Sequence, residues 1–93
     1  MAGKLVRDKI PLKIEGGYRE CSETEAINCL AKKLVEESIE FLTSHDPVEL
    51  ADVYEVLIEI TKRFGLNLDQ FREFKLKKKG GFEKLWYLED LYP

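Results

Sequence analysis

Residues 36–52 read Glu36-Glu37-Ser38-Ile39-Glu40-Phe41-Leu42-Thr43-Ser44-His45-Asp46-Pro47-Val48-Glu49-Leu50-Ala51-Asp52. Two acidic runs stand eight residues apart, with Glu40 closing the first and Glu49 opening the second. Within each run a pair of acids is three positions apart, which on an α-helix means one face. Between the runs, Asp46 is a helix cap, Pro47 suits the first helical position, and Glu49 falls at the third. The connection, roughly Ser44 to Asp46, is so short that the flanking helices must be antiparallel neighbours. The stretch therefore predicts a helical hairpin. Its acids lie in the last turns of one helix and the first turn of the next, so they converge at one end. Four close carboxylates repel one another and cannot all stay ionised without cations. Hard divalent ions such as Mg²⁺ take oxygen ligands, and protein-bound Mg²⁺ usually attends phosphate chemistry. The expected ligands are Glu37, Glu40, Glu49 and Asp52.

Upstream, Ser22-Glu23-Thr24-Glu25 has the form of a capping box. The first long helix is expected to start there and run to about Leu42 or Thr43. Its apolar stripe is Ile27, Leu30, Ala31, Leu34 and either Phe41 or Leu42. Downstream, the second helix extends to about Phe64, where Gly65 ends it. It is apolar around much of its circumference (Val48, Leu50, Ala51, Val53, Tyr54, Val56, Leu57, Ile58, Ile60), which predicts a central helix covered by a second subunit. Asn67 opens a third helix, with Gln70 at the capping-box position and Leu68, Phe71 and Phe74 facing inward. Gly80-Gly81 end it after Lys77-Lys78-Lys79, cations that suit the negative end of the helix dipole. Before the first helix, Pro11 prevents a regular helix over residues 4–14, Gly16-Gly17 reads as a turn, and Tyr18 to Cys21 is expected to be extended. The tail Phe82–Leu88 alternates roughly and reads as a short strand or an extended arm. The fold class is all-α: a hairpin plus a third helix, assembling into a four-helix bundle by dimerisation, with short extended N- and C-terminal segments.

Ninety-three residues make one domain, spanning 1–93. A chain of this length has a marginal core, so oligomerisation is a natural remedy. Fifteen basic against 18 acidic residues give a net charge of −3, which argues against generic nucleic-acid binding. No apolar run approaches the roughly 20 residues of a membrane span, and Lys4, Arg7 and Lys9 interrupt any signal-peptide core. Together these predict a cytoplasmic protein. Cys21 and Cys29 lack CxxC spacing and have no histidine near enough for zinc, so both are expected to be reduced, with Cys29 packed on a helix. His45 falls in the turn and reads as a solvated side chain.

Each acid taken alone is ordinary on a wet helix face. Glu49 also completes a capping box, Glu36 has Lys32 and Lys33 within reach, and Glu55 and Glu59 continue acid along a neighbouring stripe. Asp52 is different. It lies between Ala51 and Val53 in the most apolar helix of the chain, and a buried Asp is rare unless paired or metal-bound. The basic residues point to the anion served. Arg72, Lys75 and Lys79 share a face of the third helix, and Arg7 and Lys9 can add to them. Arginine offers phosphate a fork and lysine a point charge. Acids holding Mg²⁺ opposite a basic rim suit a polyphosphate ester. The plainer reading of the three is a solvated basic face near a helix end.

Beyond these patterns, the chain resembles the all-α nucleoside triphosphate pyrophosphohydrolases, the MazG-like superfamily. The signature there is EExxE followed by ExxD, matched by Glu36-Glu37-Ser38-Ile39-Glu40 and Glu49-Leu50-Ala51-Asp52. The likeness is nearest to a small phosphoribosyl-ATP pyrophosphohydrolase-like subgroup of single-domain proteins. These carry a KLVRDKIP-like start and a basic helix followed by GGF. Here those are Lys4-Leu5-Val6-Arg7-Asp8-Lys9-Ile10-Pro11 and Lys79-Gly80-Gly81-Phe82. The resemblance implies homodimers or homotetramers, with Glu37, Glu40, Glu49 and Asp52 holding one or two Mg²⁺ (or Mn²⁺). It also implies hydrolysis of a nucleotide between its α- and β-phosphates, releasing pyrophosphate. Glu36 or Glu37 would take the proton of the attacking water, and Arg7, Lys9, Arg72, Lys75 and Lys79 would bind phosphate. Two departures bear on the substrate: the short spacer, and Leu12-Lys13-Ile14 where relatives often show an acid. Phosphoribosyl-ATP is one alternative substrate. A non-catalytic helical oligomer is the alternative from another class.

Overall fold

The structure, a computed structural model, describes residues 3–90. A 3-10 turn at Ile10–Leu12 precedes three helices: α1 (Ala26–Ser44), α2 (Pro47–Phe64) and α3 (Leu68–Lys79). No strand occurs among the described residues. The tail is thus an arm rather than a strand, with a single turn in which Leu85 N–H bonds to Phe82 O at 3.1 Å.

The punctuation of α2 and α3 follows local chemistry. Asp46 accepts from the Val48 N–H at 3.0 Å, with Pro47 in the first turn, satisfying a donor that has no partner inside the helix. Gly65 (φ 60°) ends α2 in the left-handed conformation that glycine adopts without strain. Asn67 accepts from the Gln70 N–H and opens α3. α1 ends without a glycine: His45 takes φ 56° and its N–H bonds to Phe41 O at 2.8 Å. This left-handed residue makes the reversal between α1 and α2.

The start of α1 departs from expectation. The helix begins at Ala26 rather than just after Ser22. The Ser22 hydroxyl pairs with Thr24 Oγ1 at 3.1 Å instead of capping a backbone donor. Glu25 makes the reciprocal half of the box, accepting from the Ser22 N–H at 2.8 Å, and also holds Arg19. Residues 23–25 therefore form a turn, and the helix follows it.

That turn corrects a second expectation. Cys21 and Cys29 are not free thiols but a disulfide. The turn folds residue 21 back over the first turn of α1, bringing the two Cα atoms to 7.1 Å although eight positions separate them. Sequence spacing alone carried no sign of this reversal.

α1 and α2 pack along one another, and α3 makes no comparable contact with either. The buried side chains are Ala26, Leu30, Val56 and, unexpectedly, Glu37. On α1 the covered line runs Ala26, Leu30, Leu34, Glu37, Phe41, while Ile27, Ala31 and Leu42 of the anticipated stripe are exposed. The true stripe contains charge, so counting apolar residues alone rotated it. On α2, Val53, Leu57 and Ile60 are half-buried, but Leu50 and Tyr54 are open. On α3, Leu68, Phe71, Phe74 and Leu76 all face solvent. The radius of gyration is 16.8 Å and the long axis 52 Å, against about 13 Å expected for a compact 100-residue domain. No helix among the described residues is long and apolar enough to cross a membrane.

Candidate metal centre

The hairpin delivers the acids to one place. Glu37 and Glu40 come from the later turns of α1, Glu49 and Asp52 from the start of α2. One carboxylate oxygen from each lies within 4.8 Å of the others. Glu37 is 5% exposed, Glu49 and Asp52 are half-buried, and Glu40 is at the surface. The four thus span a short path from the packed interior to solvent.

The cluster is partly neutralised by the protein's own cations. Lys33, one turn before Glu37, places Nζ at 2.9 Å from Glu37 Oε1 and 3.3 Å from Glu36 Oε2. Lys4 approaches Glu36 Oε1 at 3.3 Å. Arg7 donates to Asp52 Oδ1 at 2.5 Å. Among the described residues, Glu40 and Glu49 have no such cation. Burial, then the neighbouring Glu40 and Asp52 carboxylates, push the Glu49 carboxyl above its usual range. Glu36 behaves oppositely: burial would raise it, but Lys33 and Lys4 outweigh burial and hold it low. Lys33 is likewise pulled down by burial yet ends raised, because Glu37 and Glu36 hold its charged form.

A second observation concerns Glu37. Its Oε1 meets Lys33, but Oε2 is buried with no hydrogen-bond partner. A buried carboxylate oxygen without a partner is costly unless something pairs with it. An all-oxygen set of four carboxylates, one of them so placed, has the chemistry that hard divalent cations select, and lacks the nitrogen and sulfur donors typical of zinc or copper. The residues therefore fit a divalent metal ion.

The remaining site residues are more scattered. Glu36 is beside the cluster but outside the set of four, tied to Lys4 and Lys33. Lys9 caps the 3-10 turn and is exposed. Arg72 and Lys75 line a shallow cleft of about 260 Å³ with Leu76, Gly80, Gly81 and Phe82. Lys79 is the last residue of α3. The helix carrying them follows the far end of α2. At 1.5 Å per residue that end is about 18 Å along the helix from Asp52, and α3 does not pack back on the hairpin. Within one chain, then, acids and α3 cations are not brought together. Sequence reasoning named Arg7 only as a phosphate ligand and gave Lys4 no role. The signal that could have placed both was the basic spacing ahead of Pro11, which ends the segment beside the hairpin.

No family model, curated protein or solved structure matches this chain.

Proposed function

We propose that the protein is a Mg²⁺-dependent pyrophosphohydrolase, cleaving a nucleoside triphosphate or related nucleotide between its α- and β-phosphates. The observation that carries this reading is the meeting of Glu37, Glu40, Glu49 and Asp52 within 4.8 Å, with the buried Oε2 of Glu37 lacking any partner. A divalent ion held there supplies two things: charge stabilisation on a phosphoryl oxygen and a more acidic bound water. The chain's own residues do the rest. Asp52 and Glu49 from α2 face Glu37 and Glu40 from α1, so the ligand geometry depends on the packing of the hairpin. Proton acceptance falls to Glu36 or Glu37. Lys33 and Lys4 hold the Glu36 carboxyl low, which makes it a weak base.

The working unit in this proposal is a homodimer or homotetramer built on a four-helix bundle. The open apolar residues Leu50 and Tyr54 on α2, and Phe71 and Phe74 on α3, support it. A second copy is also the route by which Arg72, Lys75 and Lys79 reach the acids to hold the leaving pyrophosphate.

The test is pyrophosphate release with Mg²⁺ across a nucleotide panel that includes phosphoribosyl-ATP. At least one nucleotide should be cleaved. Glu40→Gln and Asp52→Asn should keep wild-type circular dichroism and lose activity by about 100-fold or more, the scale of removing a group that acts on developing charge. Full activity in either variant rules out this site. An inactive wild type that still self-associates would instead favour a non-catalytic helical oligomer.

A further inference from the structure

The N-terminal strap bridges both helices of the hairpin at the acidic cluster. Lys4 pairs with Glu36 on α1, and three residues later Arg7 pairs with Asp52 on α2. Between and after them Leu5, Val6 and Ile10 are half-buried, so the strap is seated rather than loose. The three cations at the site are not equivalent. Lys33 is 16% exposed at its side chain, is built into α1, and holds two carboxylates at once. Arg7 is 57% exposed, belongs to a segment outside the helices, and holds one. Its partner Asp52 is also one of the four acids whose oxygens converge.

A guanidinium and a divalent ion cannot both be close partners of one carboxylate without repelling each other. From this we infer that Arg7 is an exchangeable counter-cation. It neutralises Asp52 while no divalent ion is bound, and ion entry displaces it. Displacement unfastens one of the strap's two ionic anchors and leaves a forked cation, adjacent to the ion, for the anionic oxygens of a phosphate ligand. Lys33 stays in place, because moving it strips charge from two acids, one of them the buried Glu37. The inference rests on the reading of the four acids as a metal centre. The opposing possibility is that Arg7 orients Asp52 for the ion, and the two make opposite predictions: competition weakens ion binding, orientation strengthens it.

The experiment is calorimetric titration of the full chain with Mn²⁺ alone, comparing wild type, Arg7→Gln and Lys9→Gln. Lys9 is the control. It carries the same charge on the same strap and takes part in no ion pair among the described residues. Arg7→Gln is expected to bind Mn²⁺ on the order of tenfold more tightly, within the usual range of coupled binding. Lys9→Gln is expected to change affinity by less than about twofold, since exposed charges are largely screened. Hydrogen exchange of peptides covering residues 4–12 should quicken when Mn²⁺ is added to the wild type and be unaffected by it in Arg7→Gln. An Arg7→Gln protein that binds Mn²⁺ no better than Lys9→Gln, or binds it more weakly, overturns the exchange role and leaves the metal centre standing. If none of the folded proteins binds Mn²⁺, the metal centre itself fails, and the inference with it.

Discussion

In the α1–α2 hairpin and the strap ahead of it, several charged side chains find partners. Lys4, Arg7, Lys33 and Arg63 all reach carboxylates. In α3 none of the charged residues forms an ion pair among the described residues, and Lys78 merely covers the Phe74 ring. The apolar residues divide less sharply, since Leu50 and Tyr54 of the hairpin are open too, but among the described residues only the hairpin buries any. Leu30 and Val56 are covered within the chain, whereas Phe71 and Phe74 are each 57% exposed. α2 and α3 both carry a side-chain cap at the N-terminus, so local structure does not explain the contrast. What differs is whether the residue's partner lies in the same chain. The hairpin has a buried seam of its own, with one orphaned oxygen on Glu37 and an open apolar side at Leu50 and Tyr54. α3 presents an apolar face and a basic face that a single chain leaves unused.

This contrast can be broken from either side, and the largest effect belongs to the hairpin. Leu30→Ala removes one of the few buried apolar side chains among the described residues. Urea unfolding should reveal a loss of about 2–4 kcal/mol, as for other buried leucines, and a small core leaves little margin for it. The next effect should come from α3. Phe71→Asp is expected to shift the protein toward monomer in sedimentation velocity, each such aromatic being worth about 1.5–3 kcal/mol when buried. The wild type's melting temperature should rise with protein concentration and the variant's should not. A wild type that is monomeric at all concentrations would mean that α3's face serves some other partner.

Two smaller tests probe the ends of the hairpin. Asp46→Ala deletes the side-chain cap of α2 and should cost about 1 kcal/mol by chemical denaturation, while also loosening the turn that sets the acids opposite each other. The smallest effect is a pH dependence at the start of α1. Arg19, then the Ser22 N–H, hold the Glu25 carboxyl well below its ordinary 4.5, at about 2. A group depressed in the folded state stabilises fully above its unfolded value, and that contribution fades as pH falls from about 4.5 toward 2. Urea midpoints measured down that range should fall less steeply in Glu25→Gln than in the wild type.

Much of the fold was legible because its signals are local. Asp46-Pro47 and Asn67 with Gln70 start helices, and Gly65 and Gly80 end them, through contacts a few residues long. The acid cluster was legible for a related reason. A three-residue spacing fixes a helix face, and a three-residue turn fixes which helix ends meet, so the convergence of Glu37, Glu40, Glu49 and Asp52 follows from their positions in the chain. The start of α1 was misplaced because Ser22 found another hydroxyl in place of the backbone. The disulfide was missed because it depends on a reversal of the chain, not on spacing.

The sequence by itself determined which segments are helical and that two of them reverse on one another, since caps, prolines and glycines act within a turn or two of where they stand. Only the tertiary structure decided which side of α1 is covered, that Lys33 and Glu37 enter that side together, and that Lys4 and Arg7 from a distant segment close over the acids. Those outcomes depend on how rotated helices and a returning strap meet in space, and on charges that become tolerable to bury only once their partners arrive.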